Sequence, residues 1–173
     1  MQEDLIKRIK AKAATFATAE EAWAQYRASP LGGVVWGIYE ARWAELVVIR
    51  AKNEAQACGT ADEARQLHME ATGPSVSVFE SRWRELADIE AERNAASCAT
   101  VEEALNLQRT APNDSVAAKV YEARWMELVQ LSAAECTTTE EAKRLYDAAS
   151  VATRDIVRPI YESRWMELHL AEQ

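Results

Sequence analysis

The side chains best suited to chemistry in this sequence are three cysteines, two histidines and a series of adjacent acidic pairs. A thiol beside an imidazole would make a nucleophile, and clustered thiols and imidazoles would hold zinc. The spacing suits neither. Cys58, Cys98 and Cys136 each stand two residues before a threonine in the same local string, and Phe16 takes that place in the first copy. This shared position predicts a small apolar plug between helices. Stacked helices lie roughly 10 Å apart, too far for a disulfide, which needs Cα atoms within about 7 Å. An odd count with no close pair also argues against a disulfide framework or a zinc knuckle. His68 and His169 have no Ser, Cys or Asp spaced to them as a catalytic partner. Phosphate-loop, dinucleotide and HExxH patterns are absent from the sequence. These observations predict a protein that is not an enzyme and holds no cofactor and no metal.

The acidic pairs have a structural explanation. They occur in Thr18-Ala19-Glu20-Glu21-Ala22, Thr60-Ala61-Asp62-Glu63-Ala64, Thr100-Val101-Glu102-Glu103-Ala104 and Thr138-Thr139-Glu140-Glu141-Ala142. Thr followed three residues later by Glu is a capping box, in which each side chain satisfies a backbone N–H of the other's residue. The second acid favours the positive end of the helix dipole. Four copies of one box predict four helix starts. The helices are short, with Ala64, Leu67 and Ala71 on one face, and likewise Ala104, Leu107, Ala111 and Ala142, Leu145, Ala149.

A second string organises the rest of the chain. Tyr39-Glu40-Ala41-Arg42-Trp43-Ala44-Glu45-Leu46 returns around Trp83, Trp125 and Trp165, with the tryptophans 40, 42 and 40 residues apart. A fixed period in this range marks a stacked repeat architecture. On a helical wheel, the aromatic residue at 39, Trp43 and Leu46 share one stripe. Arg42 borders that stripe with Glu45 beside it at i+3, and Glu40 borders the other side. The same holds for Arg82, Arg124 and Arg164. The repeated Arg and Glu predict a structural ladder, pairing within the helix or with a carboxylate of a neighbouring repeat; the alternative is an arginine row reading an acidic ligand. Positions 41, 81, 123 and 163 are always Ala or Ser and point away from the stripe. The neighbouring outward positions vary, through Ala44, Val48, Arg84, Asp88, Met126, Gln130, Met166 and Leu170. Variable residues on a constant frame are the candidate partner-binding face.

The long helices must position these strings. The first runs from Val34 to Ala57 and is preceded by an amphipathic helix over residues 3–15 and a capped short helix. Trp43 to Thr60 and Trp83 to Thr100 both span 17 residues, but Trp125 to Thr138 spans 13. Losing four residues removes about one helical turn and keeps the stripe in phase. Turns fall at Ser29–Gly33, Gly73–Ser75, Pro112–Ser115 and Val151–Asp155. The predicted fold is all-α, an α-solenoid of about nine helices in stacked antiparallel pairs. It forms one domain over 1–173, with a partial repeat over 1–33, repeats over 34–74, 75–114 and 115–153, and a terminal half repeat over 154–173.

In architecture the unit resembles tetratricopeptide-type helix pairs, although its period of 38–42 residues exceeds their 34 or so. In motif it resembles uncharacterised bacterial repeats of the form Thr-x-Glu-Glu-Ala followed by Arg-Trp-x-Glu-Leu. That resemblance implies a helical repeat and no activity.

The net charge of −8 disfavours nucleic acid and anionic membrane surfaces, both of which need cations on the protein. No apolar run of spanning length is present, and the opening Met1-Gln2-Glu3-Asp4 is acidic, so the expected location is cytoplasmic. The expected function is a scaffold or adaptor that binds a protein or peptide on the inner face of its long helices. The alternative is a structural protein that self-associates end to end through its terminal helices.

Overall fold

The computed structural model describes residues 2–29, 33–149 and 153–173, and among them it contains nine α-helices and no strand. The order is α1 (Gln2–Ala14), α2 (Ala19–Ala28), α3 (Val34–Ala57), α4 (Ala61–Glu70), α5 (Val76–Ser97), α6 (Val101–Thr110), α7 (Val116–Glu135), α8 (Thr139–Ala148) and α9 (Arg154–Ala171). Long and short helices alternate from α2 onward. Helix α7 ends ten residues after Trp125, whereas α3 and α5 end fourteen after their tryptophans. The missing turn is therefore taken from the end of the helix. Parts of the turns expected at 29–33 and 151–155 lie outside the described residues.

Each short helix starts at its threonine. Thr18, Thr60, Thr100 and Thr138 Oγ1 accept from the N–H of Glu21, Glu63, Glu103 and Glu141 at 3.2–3.3 Å. In three copies the Glu carboxylate takes two backbone N–H groups, the Thr's own and that of the residue before it. Glu21 differs and takes Ala17 N–H. Backbone donors hold Glu103 and Glu141 below the usual carboxylate range. Such a carboxylate stabilises the fold above its unfolded pKa, and the contribution is lost as pH falls through the lower folded value.

The contacts divide the chain into two compact units, Met1–Leu86 and Ala87–Gln173. The division falls inside α5, so no loop marks it. In the first unit α1 and α2 pack on α3. Leu67 of α4 joins two clusters there, one with Ala51, Ala55 and Phe79, the other with Cys58, Ala64 and Leu86. In the second unit α6 packs on α7, and both α7 and α8 pack on α9. Its core gathers Trp125, Leu128, Val129, Val157 and Tyr161, with Leu145 and Tyr146 against them. Each short helix thus closes against the long helix that follows it.

The repeated stripe faces inward as the wheel predicts, but unevenly. Tyr39, Phe79, Tyr121 and Tyr161 are all buried, as are Leu46, Leu86 and Leu128, while Leu168 is half-buried. Of the four motif tryptophans only Trp125 is fully enclosed, and Trp43, Trp83 and Trp165 are half-buried. Trp125 Nε1 meets no acceptor among the described residues. In α1, Leu5 is exposed, and Ile6, Ile9 and Ala13 carry the packed side. Trp125→Ala should lower the unfolding free energy by about 3–5 kcal/mol, measured by urea denaturation, and the half-buried Trp165→Ala should lower it less.

Candidate functional site

Among the described residues, the four arginines of the repeated string meet no carboxylate of a neighbouring repeat. Each reaches back to a backbone carbonyl at the turn before the preceding short helix. Arg42 Nη2 donates to Phe16 O at 2.7 Å, Arg82 to Cys58 O at 2.8 Å, Arg124 to Cys98 O at 2.8 Å and Arg164 to Cys136 O at 2.9 Å. The other terminal nitrogen of each holds the i+3 glutamate, Glu45, Glu85, Glu127 or Glu167, at 2.7–3.1 Å. Cys58 and Cys136 are the C-caps of α3 and α7, and Cys98 directly follows α5. The guanidinium therefore sits at the negative end of a helix, where a cation is favourable. The in-helix half of the ladder is as the sequence predicts. Its other half is a main-chain acceptor, which carries no residue-type signal.

The same geometry accounts for the cysteines. All three are buried and free. Their sulfurs lie 3.3–3.6 Å from the carbonyl four residues back. Burial pushes each thiol upward, and the capping Glu63, Glu103 or Glu141 adds to that, while the adjacent arginine opposes it. A thiol held protonated is a poor nucleophile. His68 lies against the Trp83 ring at 5.4 Å, and the exposed His169 meets Gln173. Among the described residues no three His, Cys, Asp or Glu side chains come together as a metal site, and no helix is long and apolar enough to cross a membrane.

The outward positions have mixed surroundings. Ala44 and Val48 are half-buried one turn apart on α3. Arg84 pairs with Glu80 at 3.0 Å. Asp88 Oδ1 accepts Ala117 N–H at 2.8 Å, so this side chain caps the first turn of α7. Met126 packs partly on the core of the second unit. Gln130 is exposed and lines, with Ser163, a groove of about 490 Å³ between α7 and α9. Met166 and Leu170 are exposed on α9.

A second groove, about 450 Å³, opens in the first unit among α2, α3, α4 and the start of α5. Trp23, Trp43 and Phe79 supply aromatic walls, and Glu20, Arg50, Glu54 and Glu70 supply its charge. Behind Trp23 the rings continue in a stack. Its centroid lies 5.0 Å from Trp43 and 4.9 Å from Tyr26, and Tyr26 lies 4.7 Å from Trp36. Gly73, at φ +60°, turns the chain beside this wall, and a Cβ there would lie 3.9 Å from Trp43 Cη2.

The repeat frame does not force this opening. In the second unit the counterparts of Trp43 and Val47 are Trp125 and Val129, which are only 4% and 0% exposed. Leu145, Tyr146 and Ala149 close over that core. The positions matching Trp23, Arg50 and Glu70 there hold Leu105, Ser132 and Ala148. Small or aliphatic residues shut one copy; large, charged and aromatic residues leave the other open. Trp23 and Trp36 stand outside the repeated strings, and a position-by-position comparison of the copies is the signal that finds them.

Comparison with protein-family models, with curated proteins and with solved structures gave no match. The arrangement therefore carries its own case. Arg124→Ala should lower stability by about 1.5–3 kcal/mol, the range for a hydrogen bond to a charged group, in chemical denaturation. Arg124→Lys should recover only part, because an ammonium cannot span both acceptors in the same fork. Unchanged stability in Arg124→Ala would remove the arginine from the framework.

Proposed function

We propose that this chain is a non-enzymatic, cytoplasmic helical-repeat module of α-solenoid type that binds a segment of another protein. The observation that carries the proposal is the groove of the first unit, open where the second unit packs shut. Its volume of about 450 Å³ lies within the roughly 300–1,000 Å³ of ordinary ligand pockets. The capping boxes and the four repeated arginines are engaged in holding the fold, which leaves them little to offer a partner, whereas Trp43 and Phe79 of the stripe face the groove. The long helix α3 supplies Trp43, Val47, Arg50 and Glu54 to the groove, next to the outward positions Ala44 and Val48. A binding face on a long helix is in keeping with this placement. Three buried free thiols suit a reducing compartment.

Association between copies is a second reading, favoured by the exposed Ile156, Met166 and Leu170 of α9. It would appear as a solution mass that climbs above 19.3 kDa with concentration.

Selection of displayed random peptides against the whole chain tests the binding role. Enriched peptides should shift the indole N–H signals of Trp23 and Trp43 in NMR spectra and lose about tenfold in affinity to Trp23→Ala, a loss of about 1.4 kcal/mol. Failure to enrich any peptide, or binding indifferent to Trp23→Ala, would contradict the proposal.

A further inference from the structure

The groove in the first unit has a definite chemical preference. We propose that it receives a cationic side chain, lysine or arginine, projecting from an otherwise apolar peptide segment. This rests on the groove being the peptide-binding site and goes on to name what the peptide must present.

Three observations support it. The first is charge. The lining holds three carboxylates, Glu20, Glu54 and Glu70, against the single guanidinium of Arg50. Glu70 accepts a hydrogen bond from the neutral amide of Gln66, which leaves its charge to act on whatever enters. An acidic peptide or a phosphate would be repelled by the same surface.

The second is the aromatic wall. Trp23 is 38% exposed, and the ring stack behind it, nearly parallel to Tyr26 at 15°, fixes its orientation before any ligand arrives. A cation within about 6 Å of a tryptophan face is attracted by the ring quadrupole. Preorganised rings avoid the ordering that binding otherwise demands.

The third is Arg50 itself. Its guanidinium lies 2.8 Å from Glu54 and 3.3 Å from Glu20, joining α3 to α2. The groove thus already holds one cation between two carboxylates. Arg50 and Glu20 are 66% and 72% exposed, and a pair so open to water is weak. An incoming lysine or arginine can share or displace it. The second unit, with Ser132 and Ala148 at the matching positions, has no equivalent.

The test uses three matched peptides of about a dozen residues, alike except for Lys, Gln or Glu at the centre. Each is titrated into the 15N-labelled 173-residue chain while the indole N–H signals are followed. The Lys peptide should shift Trp23 and Trp43 and bind about tenfold more tightly than the Gln peptide, within the range of a partly desolvated cation–π contact. The Glu peptide should bind most weakly. Glu70→Gln should reduce the Lys-over-Gln preference several-fold at low salt, and high salt should do the same in the unaltered chain. Glu70 is exposed at the end of α4, so this variant serves as the second probe if Trp23→Ala disturbs folding. Equal binding of the Lys and Gln peptides at Trp23 and Trp43 would overturn the cationic preference while leaving the groove a peptide site. Shifts absent with all three peptides would overturn both.

Discussion

One interaction recurs at every turn where a long helix gives way to a short one: a guanidinium donating to the carbonyl of the residue that ends the run. A helix leaves its last carbonyls without internal partners, and here the following long helix supplies the missing donor together with a positive charge. Two residues onward, the threonine and glutamate of the capping box satisfy the donors of the next helix. The turn is therefore held from both sides, by Arg124 and Glu103 around Cys98, for example. That clamp ties the end of one helix, the start of the next short helix and the long helix that follows it to one another.

With the turns fixed, the aromatic and leucine stripe can pack without specifying the geometry alone. This explains the tolerance seen at the tryptophans. Trp125 is enclosed, whereas Trp43 borders an open groove with the same arginine clamp beside it. Polar main-chain anchoring holds the turns of each unit, and the apolar residues packed within it differ from copy to copy. A binding site can then be opened in one copy without loss of the frame. The register shared by Tyr26 over Trp36 and Tyr146 under Arg158, the latter pair 4.2 Å apart, shows one contact filled by two chemistries.

Much of this was readable in the sequence. The extent of α3, the four helix starts, the turn lost from α7 and the Arg–Glu pairing at i+3 follow from periodicity and spacing, because they are local and repeated. The partner of the arginine was not readable, since a backbone carbonyl has no side-chain identity. Nor was the role of Asp88, placed among the outward, variable positions, because its acceptor function depends on Ala117 lying across from it. The candidate groove escaped a reading built on repetition. Trp23, Trp36 and Arg50 each occur once in their register, and a pattern drawn from what the copies share passes over what one copy alone possesses. The outward face drawn from that pattern passed close to the site through Ala44 and Val48, but the rings that line it come from the stripe side of α3 and from α2.

The central claim is that the four repeated arginines are locked between a main-chain carbonyl and a glutamate. The most direct test is 15N NMR of the arginine side chains at low temperature. Arg42, Arg82, Arg124 and Arg164 should each show slowed rotation of the guanidinium group and separately resolved Nη signals, in contrast to the averaged signals of solvent-facing arginines such as Arg8. Averaged signals from all four would mean that the clamp does not hold in solution, and the account of the turns would fall with it.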